Sequence, residues 1–217
     1  MMEVPLYDRS VFINCPFDLM YWPILEAITF SVAYCGFVPR CSLETDDGSQ
    51  VRIQKINSLI RSCRLAIHDI SRTESDGAPP LPRFNMPLEL GIFMGAKEFG
   101  NREQKRKAAV ILDAERYRYQ RFVSDIAGQD IRAHAGGVFE AIAHVRNFLF
   151  AYSHAPQFLP GPDRIAERYR DFREELPHMC EVLHTNPARL TFPEFTHLVR
   201  GYIEREAQAA HIGDRAA

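Results

Sequence analysis

No Gly-rich phosphate loop, neither GxGxxG nor Walker A, occurs in the 217-residue chain, which weighs against a dinucleotide dehydrogenase or a P-loop ATPase. Cysteine is sparse: Cys15, Cys35, Cys41, Cys63 and Cys180 form an odd set with no CxxC spacing. Neither a disulfide framework nor a spaced zinc site is expected from that set. Four of the five lie in or beside apolar runs, where free Cys acts as a small buried hydrophobe. Asp125, Asp130 and His134 show no metal-ligand spacing either, so no metal and no resident cofactor are expected. Neither sign of charge dominates. The formal net charge of -2 gives no electrostatic case for nucleic acid or an anionic membrane. No apolar run is long enough to cross a bilayer, and the opening MMEVPLYDRS lacks the basic start and apolar core of a signal peptide. The expected compartment is a reducing cytoplasm.

What is present is ordinary globular material, 46% hydrophobic and 25% charged. SVFINC (Ser10 to Cys15) reads as a first strand stopped by Pro16. LMYWPILEAITFSVAYCG then shows helical spacing, with Pro23 in its first turn and Gly36 closing it. FVPRCSLE (Phe37 to Glu44) is a second strand whose Pro39 suits an edge. VRIQKINSLIRSC is an amphipathic helix with Val51, Ile53, Ile56, Leu59 and Ile60 inside and Arg52, Lys55 and Arg61 outside. RLAIHDIS is a third strand, and the loop RTESDGAPPLPRFN leads to a helix through NMPLELGIFMG. KAAVILD is a central fourth strand, DIRAH a fifth, and GGVFEAIAHVRNFLFAY the last helix of the unit.

Five alternations of strand and helix predict an α/β domain with a flavodoxin-like, three-layer parallel sheet of about five strands. That domain spans residues 1–154. Residues 155–217 change character: after FLPGPD come two amphipathic helices, a C-terminal helical extension expected to pack on the domain or on a partner.

Ligands of such sheets bind at the carboxyl ends of the strands. Those ends bring forward Asn14, Cys15 and Phe17 after the first strand, Arg40 on the second, and His68, Asp69, Ser71 and Arg72 on the third. Arg83 and Asn85 precede Glu89, which is set among Met86, Leu88, Leu90, Ile92 and Phe93. A carboxylate in such company needs compensation. Pro87 reads as an early helical position, placing Glu89 in the first turn, where free N–H groups and the helix dipole favour the anion while burial opposes it. Two readings stay open: a catalytic carboxylate for nucleophilic attack or cation stabilisation, and a helix-start residue with a structural hydrogen bond. Arg40, Arg72 and Arg83 either ring the crevice and bind phosphate or are solvated loop arginines. Asn14 either binds a ribose hydroxyl or base or caps the turn. His68 faces away from Asp69 and reads as a packed histidine. Cys15 has no His or Lys tied to it as an activating base. APPLP reads as polyproline II for a partner or as a lid.

The order FINCPFD, GFVPR, IHDIS and NMPLELGIFMG resembles the nucleoside 2-deoxyribosyltransferase-like proteins and the related TIR-like domains. The resemblance runs from about Val11 to Phe150 and leaves the helical tail outside. It implies that Glu89 is the catalytic carboxylate and Asp69 the strand-tip acid, and that the substrate is a nucleotide or nucleoside, NAD included. It also implies a homo-oligomer, in families that serve bacterial nucleotide metabolism or antiphage defence. Arg83 and Asn85 stand where the transferases carry an acid and a Gly-Thr step, and the Trp-Cys pair of TIR domains is missing. Two functions follow as expectations: cleavage or transfer at an N-glycosidic bond, or a non-catalytic nucleotide sensor or interaction module with the C-terminal helices as a partner surface.

Overall fold

The computed structural model describes residues 4–73 and 83–216; the APPLP segment lies outside the described residues. A single turn, α1 (Leu6–Arg9), leads into β1 (Ser10–Asn14). There follow α2 (Trp22–Tyr34), β2 (Val38–Arg40), α3 (Arg52–Ser62), β3 (Leu65–Asp69), α4 (Asn85–Phe99) and β4 (Ala108–Asp113). The order closes with β5 (Ile131–Ala133), α5 (Val138–Phe150), α6 (Pro162–Val182) and α7 (Phe192–Ala216). All strand pairs are parallel, and the order across the sheet is β2-β1-β3-β4-β5. This is the flavodoxin-like order, in which the chain reverses its winding between β1 and β3.

Strand alternation divides the core. Val11 and Ile13 on β1, Leu65 and Ile67 on β3, and Val110 and Leu112 on β4 point toward α2 and α5. Phe12 and Ala66 point the other way, onto Ile56, Leu59 and Ile60 of α3 and Phe93 of α4. The interior strands β1 and β3 are buried along their whole length, as a sheet covered on both faces requires. Pro39 sits on the edge strand β2, where a missing N–H costs no ladder bond on its open side. The second strand is shorter than its sequence suggests, ending at Arg40.

Gly36 ends α2 at φ 80°. Phe37 N–H donates to the Val32 carbonyl at 3.0 Å and Gly36 N–H to Ala33 at 2.9 Å. This double bond pattern caps the helix and needs the left-handed residue that glycine supplies. α6 and α7 fold back over α2 and α5. Phe30 of α2 meets the rings of Tyr169, Phe172 and Tyr202 at centroid distances of 5.4, 5.3 and 6.2 Å. The apolar stripes of the two terminal helices thus share one continuous core with the sheet. Among the described residues no helix is long and apolar enough to cross a membrane.

Candidate functional site

The helix carrying Glu89 begins at Asn85, so Pro87 is its third residue and Glu89 its fifth. This corrects the first-turn placement. Every N–H in the first turn lacks an intrahelical partner, so Pro is tolerated at any of those positions and does not fix the register. One turn further in, Glu89 is past the free N–H groups and receives little from the helix dipole. Burial dominates instead and pushes its carboxyl up from 4.5 to about 7, with the Arg52 charge opposing.

Glu89 is 4% exposed, yet it has no hydrogen bond or ion pair among the described residues. It forms a wall of a cleft of about 300 Å³ together with Asn14, Cys15, Phe17, Arg52, Arg83 and Asn85. The cleft lies beyond the carboxyl end of β1, beside the β1/β3 reversal, where ligands of this sheet type bind. Six residues singled out by sequence are therefore brought together: Asn14, Cys15, Phe17, Arg83, Asn85 and Glu89.

Asn14 is held rigidly. Its Nδ2 donates to the Met86 carbonyl at 3.0 Å and to His68 Nδ1 at 2.9 Å. Since a backbone carbonyl can only accept, the amide orientation is fixed, and Oδ1 is left as an acceptor with no partner among the described residues. His68 packs edge-on against Phe12 and Phe93 at 5.9 and 5.1 Å. Burial, assisted by the Lys107 charge, pushes its imidazole down to about 3, so it stays neutral. Cys15 is buried, and the charges of Asp69 and Glu89 add to burial in pushing its thiol well up. It is therefore a thiol at neutral pH and not an activated nucleophile.

Asp69 is elsewhere. It is fully buried, on the opposite face of β3 from His68. Tyr21 Oη–H donates to its Oδ2 at 2.5 Å and the Ser71 N–H to its Oδ1 at 2.8 Å. His134 Nε2 lies 3.0 Å from Oδ2. Gly136 N–H donates to His134 Nδ1 at 3.0 Å, which places the imidazole proton on Nε2, facing Asp69. Burial acts to raise the Asp69 carboxyl, but hydrogen bonds from His134, Ser71 and Tyr21 outweigh it and hold it below its usual range. With its donors supplied from within, Asp69 binds together the ends of β3 and β5 and the entry to α2. It does not line the cleft.

The arginines separate likewise. Arg40 is committed to Glu44 through Nε at 2.7 Å and Nη2 at 2.6 Å, a pairing of residues four apart. Arg72 Nε lies 3.0 Å and Arg83 Nη1 3.5 Å from Asp18 Oδ2, so Asp18 anchors both at the rim. Ser71 is buried and serves Asp69. Asp113 is held by Arg118, at 2.7 Å, which also donates to the Ile70 carbonyl at 2.6 Å and so joins the ends of β4 and β3.

Sequence reasoning missed Arg52, placed on the solvent side of its helix. It is the first residue of α3 and therefore lies at the ligand end of the sheet. Its position right after the β2–α3 loop was the available signal, because helices begin where strand ends open. Among the described residues no three His, Cys, Asp or Glu side chains converge as a metal site would require. No protein-family model, curated protein or solved structure matches the chain.

Proposed function

We propose that the chain cleaves, or transfers across, an N-glycosidic bond of a nucleotide or nucleoside, NAD included, with Glu89 as the reacting carboxylate. One observation carries this: a buried carboxylate with no partner among the described residues opens onto a sugar-sized cleft at the ligand end of the sheet. Structural carboxylates at such depth have their oxygens supplied with donors, as Asp69 does.

The ionised Glu89 attacks C1′ of the sugar. The C1′–N bond breaks and its electron pair leaves with the base: the pyridinium of NAD departs as neutral nicotinamide and needs no proton, whereas a purine or pyrimidine takes one from solvent. Water then adds at C1′ and releases the carboxyl, so hydrolysis consumes one water and yields sugar and base. In transfer, a nitrogen of a second base takes the place of that water. Asn14 Oδ1 accepts from a sugar hydroxyl, and Arg83 and Asn85 hold polar groups at the mouth. Asp69 acts through the backbone it fixes.

A second reading is a nucleotide sensor without turnover, for which the absence of another carboxyl or imidazole among the described residues of the cleft lining speaks. Among those described residues only Glu89 could protonate a departing base. Mass spectrometry of wild type and Glu89→Gln with NAD and a nucleotide panel separates the readings. Products from wild type, and a loss of about 10²–10⁴-fold in the variant, support catalysis. Tight binding without product supports the sensor, and equal turnover by both proteins rejects the role of Glu89. Sedimentation velocity reports the homo-oligomer that assembly-based signalling requires.

A further inference from the structure

A chamber of about 640 Å³ adjoins the Glu89 cleft and shares Phe17 and Arg52 with it. The cleft alone, about 300 Å³, lies at the lower limit of small-molecule sites and suits a sugar rather than a whole nucleotide. We infer that the chamber receives the far end of an extended substrate, a second aromatic ring system joined to the reacting sugar through a phosphate-bearing linker. This rests on the glycosidic reading for the sugar in the cleft. The wall is completed by the start of α7, which thereby takes part in substrate selection.

Three features of the chamber support this. Phe17 and Trp22 present aromatic side chains on the α2 side, and Phe192 closes the wall from the first turn of α7. Aromatic walls accept any nucleobase through its flat face. Arg52 stands at the junction as the first residue of α3, an 11-residue helix whose free N–H groups add to its charge. It has no ion pair among the described residues, and an anion is what such a terminus with an adjoining guanidinium binds. Asp46 lines the far side. Its neighbour Asp47 is occupied by the Ser49 N–H and hydroxyl at 3.0 and 2.6 Å, so Asp46 is the carboxylate left to accept from a ring amino group.

The first turn of α7 is held in place by Thr191 and Glu194. Thr191 N–H donates to Glu194 Oε2 at 2.7 Å, and Glu194 N–H to Thr191 Oγ1 at 3.4 Å. This reciprocal cap fixes Phe192 and Pro193 against the chamber.

Trp22 is the sole tryptophan of the chain, so its emission reports on the chamber directly. The probes are ADP-ribose, which carries adenosine, diphosphate and a second ribose that has a hydroxyl in place of a base, and ribose 5-phosphate, which fills the cleft alone. ADP-ribose is expected to quench Trp22 saturably and to bind at least tenfold more tightly than ribose 5-phosphate. Arg52→Ala and Pro193→Phe should each remove most of that tenfold advantage, while Glu89→Gln keeps it. Circular dichroism confirms that the variants are folded. Trp22 quenching with no turnover of any nucleotide by wild type would uphold the chamber and defeat the glycosidic reading. Turnover of nucleotides with ADP-ribose no tighter than ribose 5-phosphate and Trp22 silent would overturn the chamber alone. Failure of ADP-ribose to bind at all overturns it as well.

Discussion

Replacing Glu89 by Gln should make the protein more stable, with an advantage that grows as pH rises from about 4.5 to about 7 and is full above that. The wild-type carboxyl is raised from 4.5 to about 7 by burial, so the folded state holds its proton where the unfolded chain has lost it. Its contribution is fully present below about pH 4.5, declines as pH rises, and is lost once pH passes about 7. The span from 4.5 to about 7 corresponds to roughly 3 kcal/mol at about 1.4 kcal/mol per pH unit. That is a ceiling, because the 4% exposure of the residue is on the cleft side and water there screens part of the charge. About 1–2 kcal/mol is the expected remainder. Urea denaturation of wild type and Glu89→Gln at pH 5 and pH 8.5 measures it, since every other titrating group is common to both proteins. The two should agree within about 0.5 kcal/mol at pH 5, where a neutral carboxyl is compared with an amide of the same shape. At pH 8.5 the variant should be ahead by about 1–2 kcal/mol. Equal stability at both pH values would mean that Glu89 has a partner or is fully solvated, and the argument for an open, buried acid would fail.

If Glu89 attacks as an anion, kcat/KM of the N-glycosidic reaction should rise with pH through about 7 and level off above it; a rate that falls across that window would assign Glu89 to proton donation. Asp69→Asn should lower stability by about 3 kcal/mol, read by thermal melting, because three donors then surround a group that accepts less. Tyr21→Phe removes one of those donors and should lower stability by about 1–2 kcal/mol, with turnover per folded molecule kept within a few-fold. Lys107→Met should destabilise by about 1–3 kcal/mol, since the carbonyls of Ile60 and Cys63 lose a buried donor.

The sheet was legible because its alternation is strict. Val11 and Ile13 face one helical layer and Phe12 the other, and a residue period of two survives any tertiary detail. Pro39 marked an edge, and Gly36 an ending, for reasons local to the backbone. The site was legible only as a region. A strand tip tells where a side chain is placed along the sheet, not which partner meets it, and Asp69 finds Tyr21 and His134 through contacts that no spacing encodes. The pairing of Arg40 with Glu44 joins residues only four apart, a local signal that was available in the sequence and went unread. Asp18, which gathers Arg72 and Arg83, lies in a loop whose course only the folded chain defines.

His68 and Asp69 are consecutive, and the pleat sends them to opposite faces of one strand. Each heads a polar group of its own. On the α2 side, Tyr21 and the Ser71 N–H donate to Asp69 and His134 lies against it, and this buried group ties the strand ends together. On the α4 side, Asn14 uses both amide hydrogens on Met86 and His68, leaving Oδ1 and the neighbouring Glu89 with unmet capacity toward the cleft. The proposed reactivity is assigned to the second group because its hydrogen bonding is left incomplete among the described residues. The two acids, alike in the sequence, thus divide between a satisfied buried group and an open cleft wall according to which face of the sheet each one meets.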